Sequence, residues 1–185
     1  MRETMLGIAA ALILSPALAF AQTEKAPIVG VDLSGAQIQE AMKRALASLK
    51  PGVPVIDRLV ELPDMGAYNV GVAVVARPAG TNLSQYLSHE KITEIYYILK
   101  GSGTQVTGTM LNGRREQSVS PTIGPGMSSN SPLQNSHTST LRPGDIHIVP
   151  PGVGHGFTSI GPGGIEYIVF RVDPEKVLGL PQGVR

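Results

Sequence analysis

Short apolar runs, separated by glycine, proline and asparagine clusters, recur from Val53 to Val172 and limit what this chain can fold into. The runs lie at residues 53–60, 68–76, 92–99, 104–111, 146–149 and 165–172. None of them continues as a helical stripe, and the chain holds 22 Gly and 15 Pro. Because short strands at regular spacing with turn signals are typical of sandwiches and barrels, the pattern predicts an all-β fold.

One helix is expected before these strands. Ser34 has the properties of an N-cap, and Gln37 follows three residues later, as in a capping box. Apolar residues then recur on one helical face, at Ile38, Met42, Ala45, Leu46 and Leu49. The stripe predicts a helix that packs on the outside of the domain and ends before Pro51; a face that binds a protein partner is the alternative.

The first 21 residues are expected to form a cleaved signal peptide. Arg2 provides a positive charge, residues 5–14 are apolar and uncharged, and Pro16 follows them. Small residues at Ala19 and Ala21 predict cleavage after Ala21 and export to the periplasm or the medium. The alternative is a membrane anchor, but a spanning helix needs about 20 apolar residues, so no stable anchor is expected after cleavage.

The remaining chain is predicted to contain three parts: an N-terminal extension with the helix (22–52), a β-rich domain (53–173) and a C-terminal tail (174–185). Residues 112–139 interrupt the β-rich domain with a stretch rich in Ser, Gly, Pro and Asn. Structureless loops beyond about 12–15 residues are uncommon in compact domains and are often functional or disordered. The stretch is therefore predicted to be an insertion loop, either a lid over a pocket or a solvated segment.

Composition excludes several classes of function. The chain has no Cys, so disulfides, thiolate metal sites and cysteine nucleophiles are ruled out. Its formal net charge is +1, which leaves no excess of basic residues for binding nucleic acid. A histidine metal site must draw on the four His of the chain, which are His89, His137, His147 and His155.

Two motifs on either side of residues 112–139 resemble those of the cupin superfamily. The first cupin motif reads G-x5-H-x-H-x(3,4)-E-x6-G, and His89, Glu94 and Gly101 match its second His, its Glu and its last Gly. Leu87 stands where the first His of this motif is expected. The second motif reads G-x5-P-x-G-x2-H-x3-N, and its first four fixed positions are matched by Gly144, Pro150, Gly152 and His155.

The resemblance implies a single double-stranded β-helix, a jelly-roll barrel, with the N-terminal helix packed outside it. Cupins usually hold a metal ion with three His and one Glu, and of this set His89, Glu94 and His155 are present. Two imidazoles and one carboxylate suit one divalent transition metal, such as Fe, Mn, Ni, Zn or Cu, and leave positions open for other ligands. A degenerate cupin that binds an organic ligand without a metal is the alternative.

An exported metalloenzyme that acts on a small-molecule substrate is the first functional hypothesis. Dioxygenase-like chemistry leads because the open positions leave room for both oxygen and substrate, while isomerase and lyase reactions remain open because a fold does not select a reaction. The second hypothesis is a non-catalytic periplasmic protein that binds a small ligand or a metal ion. A homodimer is a further expectation, because cupins often form dimers.

Three aromatic residues are expected to line the pocket or support the ligands: Tyr86, Tyr96 and Phe157. Tyr96 shares the two-residue period of a strand with Glu94, so both side chains are predicted to point into one cavity. His147 lies between Ile146 and Ile148 and is expected to be structural. His137 lies in the serine-rich stretch and is expected to be solvated.

Overall fold

The fold was obtained as a computed structural model, which describes residues 28–81, 85–115 and 120–180. The predicted signal peptide, residues 1–21, lies outside the described residues. Within these ranges the elements are α1 (Gly35–Ala47), β1 (Ile56–Glu61), β2 (Asn69–Arg77), β3 (Tyr86–His89), β4 (Thr93–Thr109), β5 (Arg114–Arg115), β6 (Gly126–Ser129), β7 (Gln134–Leu141), β8 (Ile146–Val149) and β9 (Gly154–Asp173). In this part of the chain no helix combines the length and the apolar character needed to span a bilayer.

Two long strands, β4 and β9, organise the sheet. They pair antiparallel from Thr93 opposite Val172 to Gly108 opposite Gly154. Strand β9 also pairs with β2 and, at one position, with β3, while β4 also pairs with β7 and β8. The sheet is completed by β1 on β2, β6 on β3 and β5 on β6. The prediction of an all-β fold is therefore confirmed.

Strand β2 separates two apolar clusters. Its even-numbered residues from Val72 to Ala76 pack against α1, whereas Ala73 and Val75 pack in the interior with aromatic residues of β4 and β9. Because side chains alternate along a strand, Arg77 lies at the next position of the interior row. A charged residue thus ends a row that is otherwise apolar.

Helix α1 packs outside the sheet, as predicted. The capping box is present: the backbone N–H of Gln37 donates to Oγ of Ser34, and Oε1 of Gln37 accepts from the backbone N–H of Ser34. The buried residues of the helix are Ile38, Ala41, Met42 and Ala45. Leu46 was expected in this stripe, but 40% of it is exposed, and Ala41 takes its place in the contact with the sheet.

Within residues 112–139, the described residues, which are all but 116–119, do not form the insertion loop that their composition suggested. They include β5, β6 and most of β7. Strand β7 pairs with β4 from Gln134 opposite Thr109 to Leu141 opposite Gly103, although most of its residues are exposed. Backbone hydrogen bonds, and not burial of apolar side chains, make this segment a strand. The apolar pattern of the sequence therefore missed it.

The apolar runs at 92–99 and 104–111 belong to one strand, β4, whose pairing with β9 is irregular around Gly101. Gly101 has φ of +73°, and a Cβ atom there would collide with the carbonyl oxygen of Gly164 on the neighbouring strand. Only glycine accommodates both the left-handed conformation and this close approach. The glycine at the end of the first motif therefore lets β4 approach β9 closely at this irregularity.

The solvent-facing side of the β8–β4–β9 region carries several apolar residues. Those more than a third exposed are Tyr97, Leu99, Ile146, Ile148 and Phe170. In the sheet register Tyr97 lies opposite Ile146, so part of the patch is continuous across strands. Exposed apolar patches are typical of interaction surfaces, and the predicted homodimer stays a prediction.

Candidate metal centre

Three neighbouring strands position the predicted ligand residues. His89 ends β3, Glu94 lies near the start of β4, and His155 lies near the start of β9. Strands β3 and β9 meet where Leu87 pairs with His155. In addition, the backbone N–H of Gly152 donates to the carbonyl oxygen of His89 at 2.7 Å, which ties the turn of the second motif to the end of the first.

The side chains of these three residues converge. Nε2 of His89 and Nε2 of His155 each lie 3.5 Å from Oε2 of Glu94, and the two imidazole centroids are 5.0 Å apart. The exposed fractions are only 6% for His89, 3% for Glu94 and 6% for His155. The structure thus brings together all three residues that the sequence predicted as ligands.

His155 presents a lone pair to this cluster. Burial lowers the pKa of His155 to about 4, so the imidazole is neutral near pH 7. Its Nδ1 lies 3.2 Å from the carbonyl oxygen of Val153, which can only accept, so Nδ1 carries the proton. The unprotonated Nε2 therefore faces the carboxylate oxygen of Glu94. Two electron-rich atoms with no proton between them form an arrangement that a cation stabilises.

Glu94 is ionised although it is buried. Burial by itself raises the pKa of this carboxyl group, but the Arg171 guanidinium beside it, with a smaller contribution from His89, holds the pKa well below its usual range. Nε of Arg171 donates to Oε1 at 2.9 Å, and the Tyr96 hydroxyl donates to Oε2 at 2.8 Å. Burial and the neighbouring carboxylate raise the pKa of Tyr96, so the hydroxyl keeps its proton. The shared strand parity predicted for Tyr96 and Glu94 is confirmed.

Arg171 was not singled out in the sequence, yet it connects the centre to β1. Its Nη1 donates to Oδ1 of Asp57 at 3.1 Å and to the carbonyl oxygen of Thr122 at 3.0 Å, and its Nη2 donates to Oδ2 of Asp57. Together Asp57, Arg171 and Glu94 carry a net charge of −1. The sequence signal for Arg171 was a basic residue inside the apolar run at 165–172. In the structure Arg171 pairs directly opposite Glu94.

The donor set fits a divalent cation. Atoms that bind one first-row ion at about 2.1 Å lie roughly 3.0–3.4 Å from each other. The separations of 3.5 Å between Oε2 of Glu94 and each Nε2 are close to this value, and all three atoms lie within 4.8 Å of one another. Neutral imidazoles with one carboxylate are a normal set for such ions, and the excess negative charge offsets that of the cation. His89, Glu94 and His155 are the residues that would hold it.

The cupin family profile matches residues 61–184. The chain belongs to the cupin family. The predicted fold, a double-stranded β-helix with one helix outside it, is thereby confirmed. A search of curated protein sequences finds no significant match.

Several solved structures resemble this cupin at low sequence identity. An oxalate oxidase is 19% identical, with a TM-score of 0.47 over 70% of this chain and 55% of that chain. Peruvianin-I, a cysteine peptidase from Thevetia peruviana latex, is 14% identical, with a TM-score of 0.45 over 74% and 76%. A Klebsiella pneumoniae protein with a double-stranded β-helix domain is 16% identical, with a TM-score of 0.43 over 72% and 86%. This cupin therefore spans little more than half the length of the oxalate oxidase.

Leu87 occupies the position of the missing cupin histidine. It lies on the same face of β3 as His89 and lines a cavity of about 90 Å³ that His155 also lines. Phe157 also lines this cavity. Tyr86 alternates with Leu87, so its ring projects from the opposite face of β3 and packs near Gly156 instead of lining the cavity. Tyr96 acts on Glu94 through its hydroxyl.

Replacing Leu87 with histidine is expected to add a fourth ligand and tighten metal binding. Structural zinc sites with four ligands bind with about 10–16 kcal/mol, so one ligand contributes on the order of 3 kcal/mol, about 100-fold in affinity. Competition with a chromophoric chelator measures the change for Zn²⁺. Tyr86→His is the matched control because it places an imidazole on the other face of the same strand. An unchanged affinity in Leu87→His contradicts the placement of the ion.

The other two histidines lie outside the cluster. His147 packs inward, with its ring centroid 5.8 Å from that of Tyr96, while its neighbours Ile146 and Ile148 are exposed. This agrees with the structural role predicted for it. His137 is exposed on β7, as predicted, and its Nε2 lies 3.0 Å from Oγ of Ser139.

His147 is expected to make stability depend on pH. Burial lowers the pKa of His147, and the nearby His137 adds to the effect. An unfolded histidine has a pKa of about 6.5, so below that pH the unfolded chain binds the proton first and the free energy of unfolding falls. Urea denaturation between roughly pH 7 and 5, which brackets that value, should show a smaller loss for His147→Gln than for wild type. The exposed control His137→Gln should resemble wild type more closely, and identical profiles for His147→Gln and wild type contradict the prediction.

Proposed function

We propose that this cupin is a metal-dependent enzyme that acts on a small organic substrate at one divalent ion held by His89, Glu94 and His155. One observation carries the proposal: inside the protein, Nε2 of His155 lies 3.5 Å from the ionised Oε2 of Glu94, while the contact of Nδ1 with the carbonyl oxygen of Val153 places the imidazole proton on the other ring nitrogen. Buried electron-rich atoms without a donor between them cost free energy. A bound cation removes that cost.

The surrounding residues have distinct roles in this proposal. Arg171 and Tyr96 hold the carboxylate of Glu94 so that Oε2 faces both imidazoles. The carbonyl oxygen of Val153 selects the tautomer of His155. Leu87 and Phe157 provide apolar walls to the adjoining cavity.

A bound ion would act there as a Lewis acid or lower the pKa of a bound water. Three protein ligands leave positions for a substrate and for a co-reactant such as oxygen. Dioxygenase-like chemistry is therefore the first reaction class to test, followed by isomerase and lyase reactions.

A non-catalytic protein that binds a small ligand or a metal ion is the second candidate. Leu87 replaces one imidazole of the usual cupin set, and Oε1 of Glu94 is engaged by Arg171. Both features reduce the number of protein atoms available to an ion, which favours weaker metal binding than in a cupin with four ligands.

Metal analysis of the purified protein tests the proposal. The chain without residues 1–21 is loaded separately with Fe²⁺, Mn²⁺, Ni²⁺, Zn²⁺ or Cu²⁺, dialysed and analysed by mass spectrometry of the metal. We expect one ion per chain and metal-dependent consumption of oxygen or of a compound from a panel of small organic molecules. One ion per chain without turnover supports the second candidate, and no retained ion of any kind contradicts the first.

We also propose that the protein is exported after cleavage following Ala21. The support is the sequence of residues 1–21. Cell fractionation and N-terminal sequencing test it: we expect the protein in the periplasm or the medium, with Gln22 at its N-terminus. A cytosolic protein that retains Met1 contradicts export.

A further inference from the structure

The small cavity beside His155 has the chemistry of an anion-binding site. Arg77, Gln105 and Phe157 line it together with Leu87, and none of its described lining residues is acidic. We propose that this cavity binds one small organic carboxylate through the guanidinium of Arg77 and the side-chain amide of Gln105. That this carboxylate is the substrate rests on the proposed function, whereas its binding in the cavity rests on the surroundings of Arg77 and Gln105.

Gln105 is a buried amide without a partner. Only 1% of it is exposed, and among the described residues neither its Nε2 nor its Oε1 has a hydrogen-bond partner. It lies within β4 between two paired strands, opposite Phe157 on β9 and Ser139 on β7. A buried polar group left unpaired costs free energy. A ligand in the cavity can accept a hydrogen bond from Nε2, and a ligand hydroxyl or a water can donate to Oε1.

Arg77 supplies a positive charge at the wall of the same cavity. Its Nε donates to the Tyr167 hydroxyl at 3.2 Å, and its guanidinium carbon lies 5.2 Å from the centroid of the Phe157 ring. Among the described residues no carboxylate lies within ion-pair distance of Arg77, whereas Arg171 is paired with both Asp57 and Glu94.

A partly buried guanidinium without a counter-ion favours an anion beside it. The planar fork of donors on arginine matches the two oxygens of a carboxylate. The cation and the unpaired amide therefore point to the same ligand group, a carboxylate.

The size of the cavity limits the ligand. A volume of about 90 Å³ corresponds to roughly three water molecules. A carboxylate of about three to six non-hydrogen atoms fills such a space, and an aromatic acid exceeds it. Because His155 belongs to both the cavity wall and the candidate metal centre, a carboxylate in the cavity lies next to the side chains that would hold the ion.

Calorimetric titration with sodium acetate tests the inference, with and without one equivalent of Zn²⁺. Acetamide serves as the neutral probe of the same shape and benzoate as the oversized probe. We expect wild type to bind acetate at least about tenfold more tightly than either probe. Acetamide lacks the charge-assisted hydrogen bond to Arg77, and benzoate is too large for the cavity. Arg77→Gln and Gln105→Leu should each weaken acetate binding about tenfold or more. Arg142→Gln, which removes an exposed arginine outside the cavity, should bind acetate as wild type does.

Arg77→Lys retains the charge without the fork and should bind acetate with intermediate affinity, which provides a second test if the glutamine variant does not fold. No acetate binding to folded wild type in either metal state, or equal binding of acetate and acetamide, overturns the inference. Unchanged acetate binding in both the Arg77 and the Gln105 variants also overturns it. Zn²⁺ affinity is measured in the same proteins. Acetate binding without any Zn²⁺ binding supports the carboxylate site and contradicts the proposed metal-dependent function. Zn²⁺ binding without acetate binding contradicts only this inference.

Discussion

Replacing Arg171 with methionine is expected to lower the free energy of unfolding by about 3–5 kcal/mol, because removing one partner of a buried ion pair leaves an uncompensated charge. Arg171 is 1% exposed and donates to Glu94, Asp57 and the carbonyl oxygen of Thr122. Without the guanidinium, Glu94 is left buried with one carboxylate oxygen unpaired. Chemical denaturation monitored by circular dichroism measures the loss in the metal-free protein.

Arg58→Met is the matched control for Arg171→Met. Arg58 is exposed on β1, and its guanidinium only approaches Oγ of Ser48, at 3.5 Å. We expect this variant to stay within about 0.5 kcal/mol of wild type. Adding Glu94→Gln to Arg171→Met should restore part of the lost stability, because it removes the uncompensated charge. A loss below about 1 kcal/mol in Arg171→Met contradicts the expected cost of breaking this pair.

Replacing His155 with alanine is expected to weaken metal binding about 100-fold or more. The variant removes one of the three nitrogen and oxygen atoms that converge in the candidate centre. One ligand contributes on the order of 3 kcal/mol when the total for a four-ligand zinc site is about 10–16 kcal/mol. The bound ion per chain is measured after dialysis, and the affinity for Zn²⁺ by chelator competition.

His137→Ala is the control for His155→Ala, because it removes an imidazole that is exposed on β7. It should bind metal with wild-type stoichiometry and affinity. Circular dichroism confirms that the His155 variant remains folded, so that a loss of metal reports on ligation. If both variants retain the ion equally, the ion is held elsewhere and the proposed centre is wrong.

Spacing along the chain was sufficient to predict the three candidate ligands. His89 and Glu94 lie close together in sequence, and Gly152 and His155 belong to one turn and the strand that follows it. Such local offsets decide on which face of a strand or turn each side chain lies. For this reason the three side chains converge in the structure. They do so although the segment between the two motifs was predicted to be a loop and its described residues include strands.

Residues 112–139 show where the sequence pattern failed. Strand β7 has only one buried residue, Leu141, so it carries almost no apolar signal. Its strand conformation results from backbone pairing with β4, a partner far away in sequence. Tyr86 shows a related limit, because a position beside a motif does not reveal which face of the strand the side chain occupies until the register is known.

The all-β class, the outer helix and the identity of the converging His, Glu and His residues were determined by the sequence alone, because turn signals, capping and two-residue alternation are local properties. Only the tertiary structure decided which groups surround them. Arg171 pairs opposite Glu94, and Arg77 meets Gln105 at one cavity, through pairing between strands that are distant in the chain. Such pairing depends on backbone hydrogen bonds across the sheet, which the periodicity of a single segment does not encode.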